Sequence, residues 1–378
     1  MGGLNFSKAS FWERNSFLYK KDVIIIGAGL TGLWSAYHLK KSNPKLRIAV
    51  LERGAFSSGA STKNAGFACF GSAGELLDDL NKVPRNELSA LIADRHHGLQ
   101  NMVRTLGADK IHYEPKGGFE LFASSEEAKP ILEKMDTLNE LMHEAIGERP
   151  YRLALDKISS SGFAGIHSCI ENTLEGQLDT GKMYQQLLAL VRSMDVACYC
   201  GIQVLDIKNG GNPQVETSYG TIEANRILLC TNGFAKSFFP DLSLEPARAQ
   251  VLITKPLEKQ TIQGSFHMHQ GYYYFRDVGK RVLIGGARHL NISGETTTEE
   301  GITEQITDDL TQLLRKHILP HQNFEIDYAW SGVMGVGAVK KPILEMVRPN
   351  VYVAVRLGGM GVALSYQLGK HASDLLLA

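Results

Sequence analysis

Three glycines in Gly27-Ala28-Gly29-Leu30-Thr31-Gly32 stand at the spacing with which a backbone can grip a phosphate. They follow a β-branched run, Asp22-Val23-Ile24-Ile25-Ile26, as a strand buried on both faces requires. Leu33, Trp34, Ala36, Tyr37 and Leu39 then continue as a helix, which Asn43-Pro44 ends. Arg47-Ile48-Ala49-Val50-Leu51 reads as a second strand, closed by Glu52 twenty residues past Gly32. In such a unit Gly27 permits the tight turn, Gly29 lets backbone approach a pyrophosphate, and Gly32 lets helix pack on strand. The helix start supplies free N–H groups and the positive end of its dipole. Glu52 can accept from ribose hydroxyls and would repel a 2′-phosphate, so the spacing points to a dinucleotide other than NADP.

The elements that position this turn continue along the chain. Gly54 to Gly74 holds five glycines, lacks helical or strand periodicity, and is too apolar for a floppy linker. An ordered loop of this length is usually functional. Its Ser, Thr and Asn side chains suit a second wrap around phosphates and a flavin edge, where an NAD enzyme would more often resume alternating strand and helix. Glu52-Arg53 followed by Gly59-Ala60-Ser61-Thr62-Lys63-Asn64-Ala65-Gly66 resembles the FAD-contacting stretch of the D-amino-acid oxidase superfamily. The glycine oxidase, sarcosine oxidase and γ-glutamylputrescine oxidase branch is the nearest group. Three later segments are similar as well: Gly176-Gln177-Leu178-Asp179-Thr180 with the strand to Ile207, Asn225 to Phe234, and Val351 to Val362.

The resemblance implies an α/β fold, with a Rossmann-like FAD-binding domain of the glutathione-reductase type and a discontinuous mixed-sheet α+β substrate domain. It places the FAD domain at 1–110, 150–235 and 330–378, and the substrate domain at 111–149 and 236–329. It also implies FAD contacts at Val204, Cys230, Thr231 and Gly233, and at Gly358, Gly359, Met360, Gly361 and Val362. Positive helix ends in that last loop would stabilise negative charge on the ring. The implied chemistry is oxidation of a C–N bond in a small amine or amino acid. Hydride passes to flavin N5, the imine is hydrolysed, and oxygen or a quinone takes the electrons. The alternatives are a quinone-linked amino-acid dehydrogenase and a flavin-binding protein without turnover. A third is oxidation of an amine on modified RNA.

Members acting on small amino acids commonly hold the carboxylate with an Arg after Trp-x-Gly or on the C-terminal flavin loop. Here Trp330-Ser331-Gly332-Val333 is followed by Met334, and the loop carries Gly359 and Met360. The usual Asp is also absent from Ala338-Val339-Lys340-Lys341-Pro342. These departures count against a glycine-like substrate. Arg276, Arg288 and Arg356 are the replacement cations, since a buried Arg fork suits a carboxylate. Tyr272, Tyr273 and Tyr274 can offer a hydroxyl or ring, though strand alternation lets at most one or two face a substrate.

Composition sets the outer bounds. The 378 residues are 43% hydrophobic and 21% charged, enough for a large core and two domains. Forty basic residues balance forty acidic ones, which gives no general pull toward nucleic acid. The N-terminal stretch to Asp22 lacks a signal-peptide core and, with Phe6, misses the myristoylation pattern. No run reaches the ~20 apolar residues of a membrane span, and a cytoplasmic location is expected. Five scattered cysteines read as small core residues. Cys198 and Cys200 share a strand face without a second pair to complete a metal site. Cys69 reads as an inert thiol rather than a flavin attachment, so FAD is expected to be non-covalent. The histidines at 96, 97, 267, 269, 289, 317 and 321 lack shared metal spacing and read as ordinary surface or core residues. The run from Glu126 to Ile146 reads as one helix with Leu132, Met135, Leu138, Leu141 and Met142 as its core stripe. Strands are expected at Phe119–Ala123, Tyr272–Phe275 and Arg281–Gly285, and a solvated loop at 294–301.

Overall fold

The computed structural model describes residues 6–208 and 210–378; the first five residues of the N-terminal stretch read above, and Asn209, lie outside the described residues. Two compact units emerge. One comprises Met1–Thr62, Gly181–Ala247 and Met334–Ala378, the other Lys63–Thr180 and Arg248–Val333.

In the first unit the parallel strands Ala197–Tyr199, Ile48–Leu51, Lys21–Ile26, Gly220–Leu229 and Val351–Val355 lie side by side, with Ile343–Arg348 antiparallel at the end. Ile24, Ile25, Ala49, Val50, Leu228 and Val353 are wholly buried, as strands covered on both faces demand. One face carries the helices Leu30–Ser42 and Gly361–Leu377. These pack so closely that a Cβ on Gly369 would sit 2.6 Å from Trp34 Cβ. Trp34 is fully buried there, with its ring 4.7 Å from that of Tyr366. The other face packs against the hairpin strands Val204–Lys208 and Gln214–Thr217 through Ile24, Leu51, Val204 and Val215.

The second unit has an eight-stranded mixed sheet. Its centre is Arg281–Gly286, Tyr273–Val278, Ser265–Met268 and Gly118–Phe122; the last pair is parallel, the others antiparallel. Phe119, Phe266 and Phe275 fill the core on one face, with Phe266 and Phe275 stacked at 4.8 Å. The strands Tyr151–Leu153 and Ser168–Asn172 extend this sheet, and Phe67–Ala68 pairs with Gly176–Gln177. These pairings draw residues 63–110 and 150–180 into the second unit, so the contact units depart from the domain bounds expected above.

Two local expectations are corrected. The run from Glu126 to Ile146 is two helices, Ser125–Glu133 and Met135–Ile146. The first closes where Lys134 N–H donates to Ile131 and Leu132 carbonyls, and Leu132 is exposed while Leu138, Leu141 and Met142 are buried. The loop at 294–301 is not uniformly solvated. Glu295 is fully buried because Arg248 donates to both of its oxygens, at 2.8 and 2.9 Å.

The second unit also buries carboxyl groups around the turn Phe70–Gly74. Glu175 Oε1 accepts from Phe70 N and Gly71 N at 2.7 and 2.9 Å, and Glu120 Oε2 accepts from Gly74 N at 2.7 Å. Burial outweighs these bonds and raises both acids to about 7. A carboxyl with a raised folded-state pKa binds its proton more tightly folded than unfolded. Its contribution is therefore fully present below pH ~4.5 and lost as pH rises through 7. Glu120→Gln, which keeps an acceptor for Gly74 and removes the buried charge, should raise Tm at pH 8 by more than at pH 5. Equal shifts at the two pH values in a thermal melt would contradict this.

Candidate cofactor and substrate sites

The glycine turn is dictated by contacts that no side chain could share. Gly27 has φ +103°, and a Cβ there would lie 2.9 Å from Cys230 O. One on Gly29 would lie 2.9 Å from Ser61 Oγ, and one on Gly32 2.1 Å from Gly27 O. Gly29 is the N-cap of helix Leu30–Ser42, and Leu30 N–H donates to Ser61 Oγ at 2.9 Å. Among the described residues, no acceptor meets the amides of Gly29, Thr31 and Gly32. This is the donor set an anion at a helix start requires.

Glu52 is buried at the end of Ile48–Leu51, where its two oxygens accept from Ala28 N (3.2 Å) and Gly54 N (3.0 Å). Arg53 lays its guanidinium 4.1 Å from the Phe234 ring centroid. Thr62 Oγ1 donates to Ser57 O at 2.9 Å and closes the short turn Gly59, Ala60, Ser61, Thr62. The stretch then divides, because Asn64, Ala65 and Gly66 belong to the second unit. There Asn64 Oδ1 accepts from Gly66 N and Thr180 Oγ1, both at 2.9 Å, and Gly66 O accepts from Leu178 N.

The other expected cofactor residues gather in the first unit. Cys230, Thr231 and Gly233 follow strand Gly220–Leu229, and Val204 is buried at the start of its own strand. Burial drives the Cys230 thiol up, and Thr231 Oγ1 is buried without a partner. Gly358 (φ +57°) and Gly359 (φ +85°) lead through Met360, the N-cap, into Gly361 and Val362 of the last helix. Gly27–Gly32, Glu52, Cys230–Gly233 and Gly358–Val362 thus all follow carboxyl ends of neighbouring parallel strands. That edge is where ligands bind in open α/β sheets. A family model described as FAD dependent oxidoreductase (DAO) matches residues 22–375.

The chain belongs to that family.

Its sequence is 25% identical to the probable oxidoreductase OrdL of Rhizobium meliloti, over 95% of this chain and 83% of the relative. It is 22% identical to γ-glutamylputrescine oxidoreductase of Escherichia coli, over 94% and 83%. The crystal structure of glycine oxidase from Geobacillus kaustophilus shares the fold, with TM-score 0.78, 20% identity and 95% of each chain covered. FAD is the cofactor of this DAO-family oxidoreductase, and the cradle fits it. Open helix-start amides suit the pyrophosphate, Glu52 suits the ribose, and the unpartnered Thr231 hydroxyl lies at the same edge.

Two of the three expected substrate cations, Arg356 and Arg276, bind backbone carbonyls, and Arg288 lies in the short turn Arg288–Asn291. Arg356 (φ +63°) donates from Nε and Nη2 to Lys341 O at 3.0 and 2.8 Å, and from Nη1 to Ser243 O at 2.6 Å. Arg276 is buried and donates to Ala65 O (2.6 Å), Leu178 O (3.0 Å) and Asp277 O (3.4 Å). Both guanidiniums thus hold backbone carbonyls together. Tyr273 turns into the Phe266 core and donates to Asp309 Oδ2 at 2.8 Å, whereas Tyr274 occupies the opposite face. Met334 and Met360 supply no cation, and Met334 Sδ lies 3.6 Å from where a Gly359 Cβ would be. Residue-by-residue reading missed His267 and Phe67, which stand beside Tyr274. A lone histidine and a loop phenylalanine carry no sequence signal for that meeting.

Proposed function

We propose that this protein oxidises a C–N bond of a small amine or amino acid. The unit holding the glycine turn binds FAD non-covalently, and the unit built on the eight-stranded sheet binds the substrate. The cradle at the carboxyl edge of the parallel strands is the observation that carries the reading. When bound, FAD supplies a two-electron acceptor for hydride from the substrate C–H, and water hydrolyses the resulting imine. Gly27, Gly29, Leu30, Thr31 and Gly32 bind the pyrophosphate, Glu52 the ribose, Arg53 to Thr62 the flanking phosphate side, and Val204 the adenine edge by its backbone. Cys230 to Gly233 and Gly358 to Val362 border the flavin. Cys69 is buried, and burial raises its thiol, which supports a non-covalent cofactor.

Oxygen or a quinone removes the electrons, and the site is cytoplasmic. Support for that location comes from five free cysteines, and among the described residues no helix is long and apolar enough to cross a membrane. The test is anaerobic addition of amines and amino acids to the holoenzyme, with FAD absorbance and carbonyl product followed together. One substrate class should bleach the flavin and yield carbonyl compound in equal amount. Flavin that stays oxidised throughout would favour a binding protein without turnover.

A further inference from the structure

One row of side chains crosses the face of the eight-stranded sheet that lies opposite the Phe266 core. Glu120, His267, Tyr274 and Gly285 are register partners in turn across four strands. Gly285 lacks a Cβ, and the Tyr274 ring occupies the space: a Cβ there would lie 2.6 Å from both the ring and its hydroxyl oxygen. Phe67 closes the row from above, 5.2 Å from the His267 ring and 5.5 Å from the Tyr274 ring, edge-on to the latter.

Among the described residues, neither the His267 ring nitrogens nor the Tyr274 hydroxyl has a hydrogen-bond partner, although both residues are half-buried. Their polar atoms are therefore open to meet a ligand or water. Burial pulls His267 down to about 4 and pushes Tyr274 up to about 12, so both are neutral at pH 7. The row itself contains no cation for a carboxylate. Glu120, which burial raises to about 7, adjoins His267 in the row, and the negative charge of Glu75, paired with Arg95 at 3.2 Å, also reaches it. The cation of the next row, Arg276, has its donors on backbone carbonyls.

We propose that His267 and Tyr274 bind the nitrogen of an amine that carries no carboxylate beside its reacting C–N bond, with an apolar or aromatic body lying against Phe67. This rests on the substrate-unit reading given under Proposed function. The phenol oxygen and an unprotonated ring nitrogen are two acceptors for the two N–H groups of a neutral primary amine. The aromatic edges around them hold its hydrocarbon part. An α-amino acid would bring its carboxylate into a row whose own members, Glu120, His267, Tyr274 and Gly285, supply no cation.

The test uses two ligands that have no hydrogen on the nitrogen-bearing carbon and so cannot be oxidised. They are 2-phenylpropan-2-amine and 2-amino-2-phenylpropanoate, which differ by a methyl against a carboxylate. Calorimetric titration of the holoenzyme should show the amine binding at least about tenfold more tightly. Tyr274→Phe and His267→Phe, each checked for full FAD content, should each weaken the amine about three- to tenfold, the size of one lost hydrogen bond. Equal or tighter binding of the amino acid would overturn the proposal, as would unchanged amine affinity in both variants or binding of neither ligand. Anaerobic bleaching by α-amino acids and not by amines would end this proposal while leaving C–N oxidation standing. Bleaching by neither class would remove both.

Discussion

Gly32→Ala should purify largely without FAD, with cofactor affinity reduced roughly 10- to 100-fold. The added methyl would sit 2.1 Å from Gly27 O and 3.2 Å from Ile25 Cγ2. The first contact is backbone and the second belongs to a wholly buried strand residue, so neither neighbour can step aside cheaply. Helix Leu30–Ser42 must retreat, and its open amides then leave the phosphate position. Overpacking of this kind typically costs about 1–3 kcal/mol, which matches the affinity loss. Gly211→Ala, where a Cβ meets nothing within 4 Å, is the control and should retain FAD. Flavin-to-protein absorbance ratios and FAD titration of the apoprotein measure both. Full FAD retention by Gly32→Ala would contradict the assigned cradle.

Arg276→Met should lower stability by about 3 kcal/mol, the usual size of breaking a buried charge network. The guanidinium holds Ala65 O and Leu178 O together, and its removal strands both carbonyls in a buried setting. A substrate anchor would behave differently, raising KM while leaving the melting temperature in place. Urea denaturation read beside steady-state kinetics separates the two. A selective rise in KM at unchanged stability would restore Arg276 as a carboxylate anchor.

The sequence made the phosphate turn legible because each of its glycines answers a local demand. Turn, close approach and helix contact all lie within residues 25–32, and Glu52 ends the very next strand. Other features depend on partners far along the chain. In the run from Glu126 to Ile146, Pro130 was the one breaker, but the apolar stripe continues on both sides of Lys134, where the break falls. Glu295 looked solvated until Arg248, on a distant strand, met it. Arg276 and Arg356 looked like free forks because the groups they bind are backbone carbonyls, which every residue possesses. The His267–Tyr274 pair depends on strand register, and Phe67 reaches it from a loop whose apolar character alone was visible. A close run of glycines exposes its purpose in sequence, whereas a site assembled across four strands does not.

The most direct test of the account is the visible absorption spectrum of the purified protein, recorded before and after anaerobic addition of a primary amine with an apolar body. The account predicts an oxidised flavin spectrum at the outset and its bleaching on addition. A protein with no flavin, even after reconstitution with FAD, would contradict it.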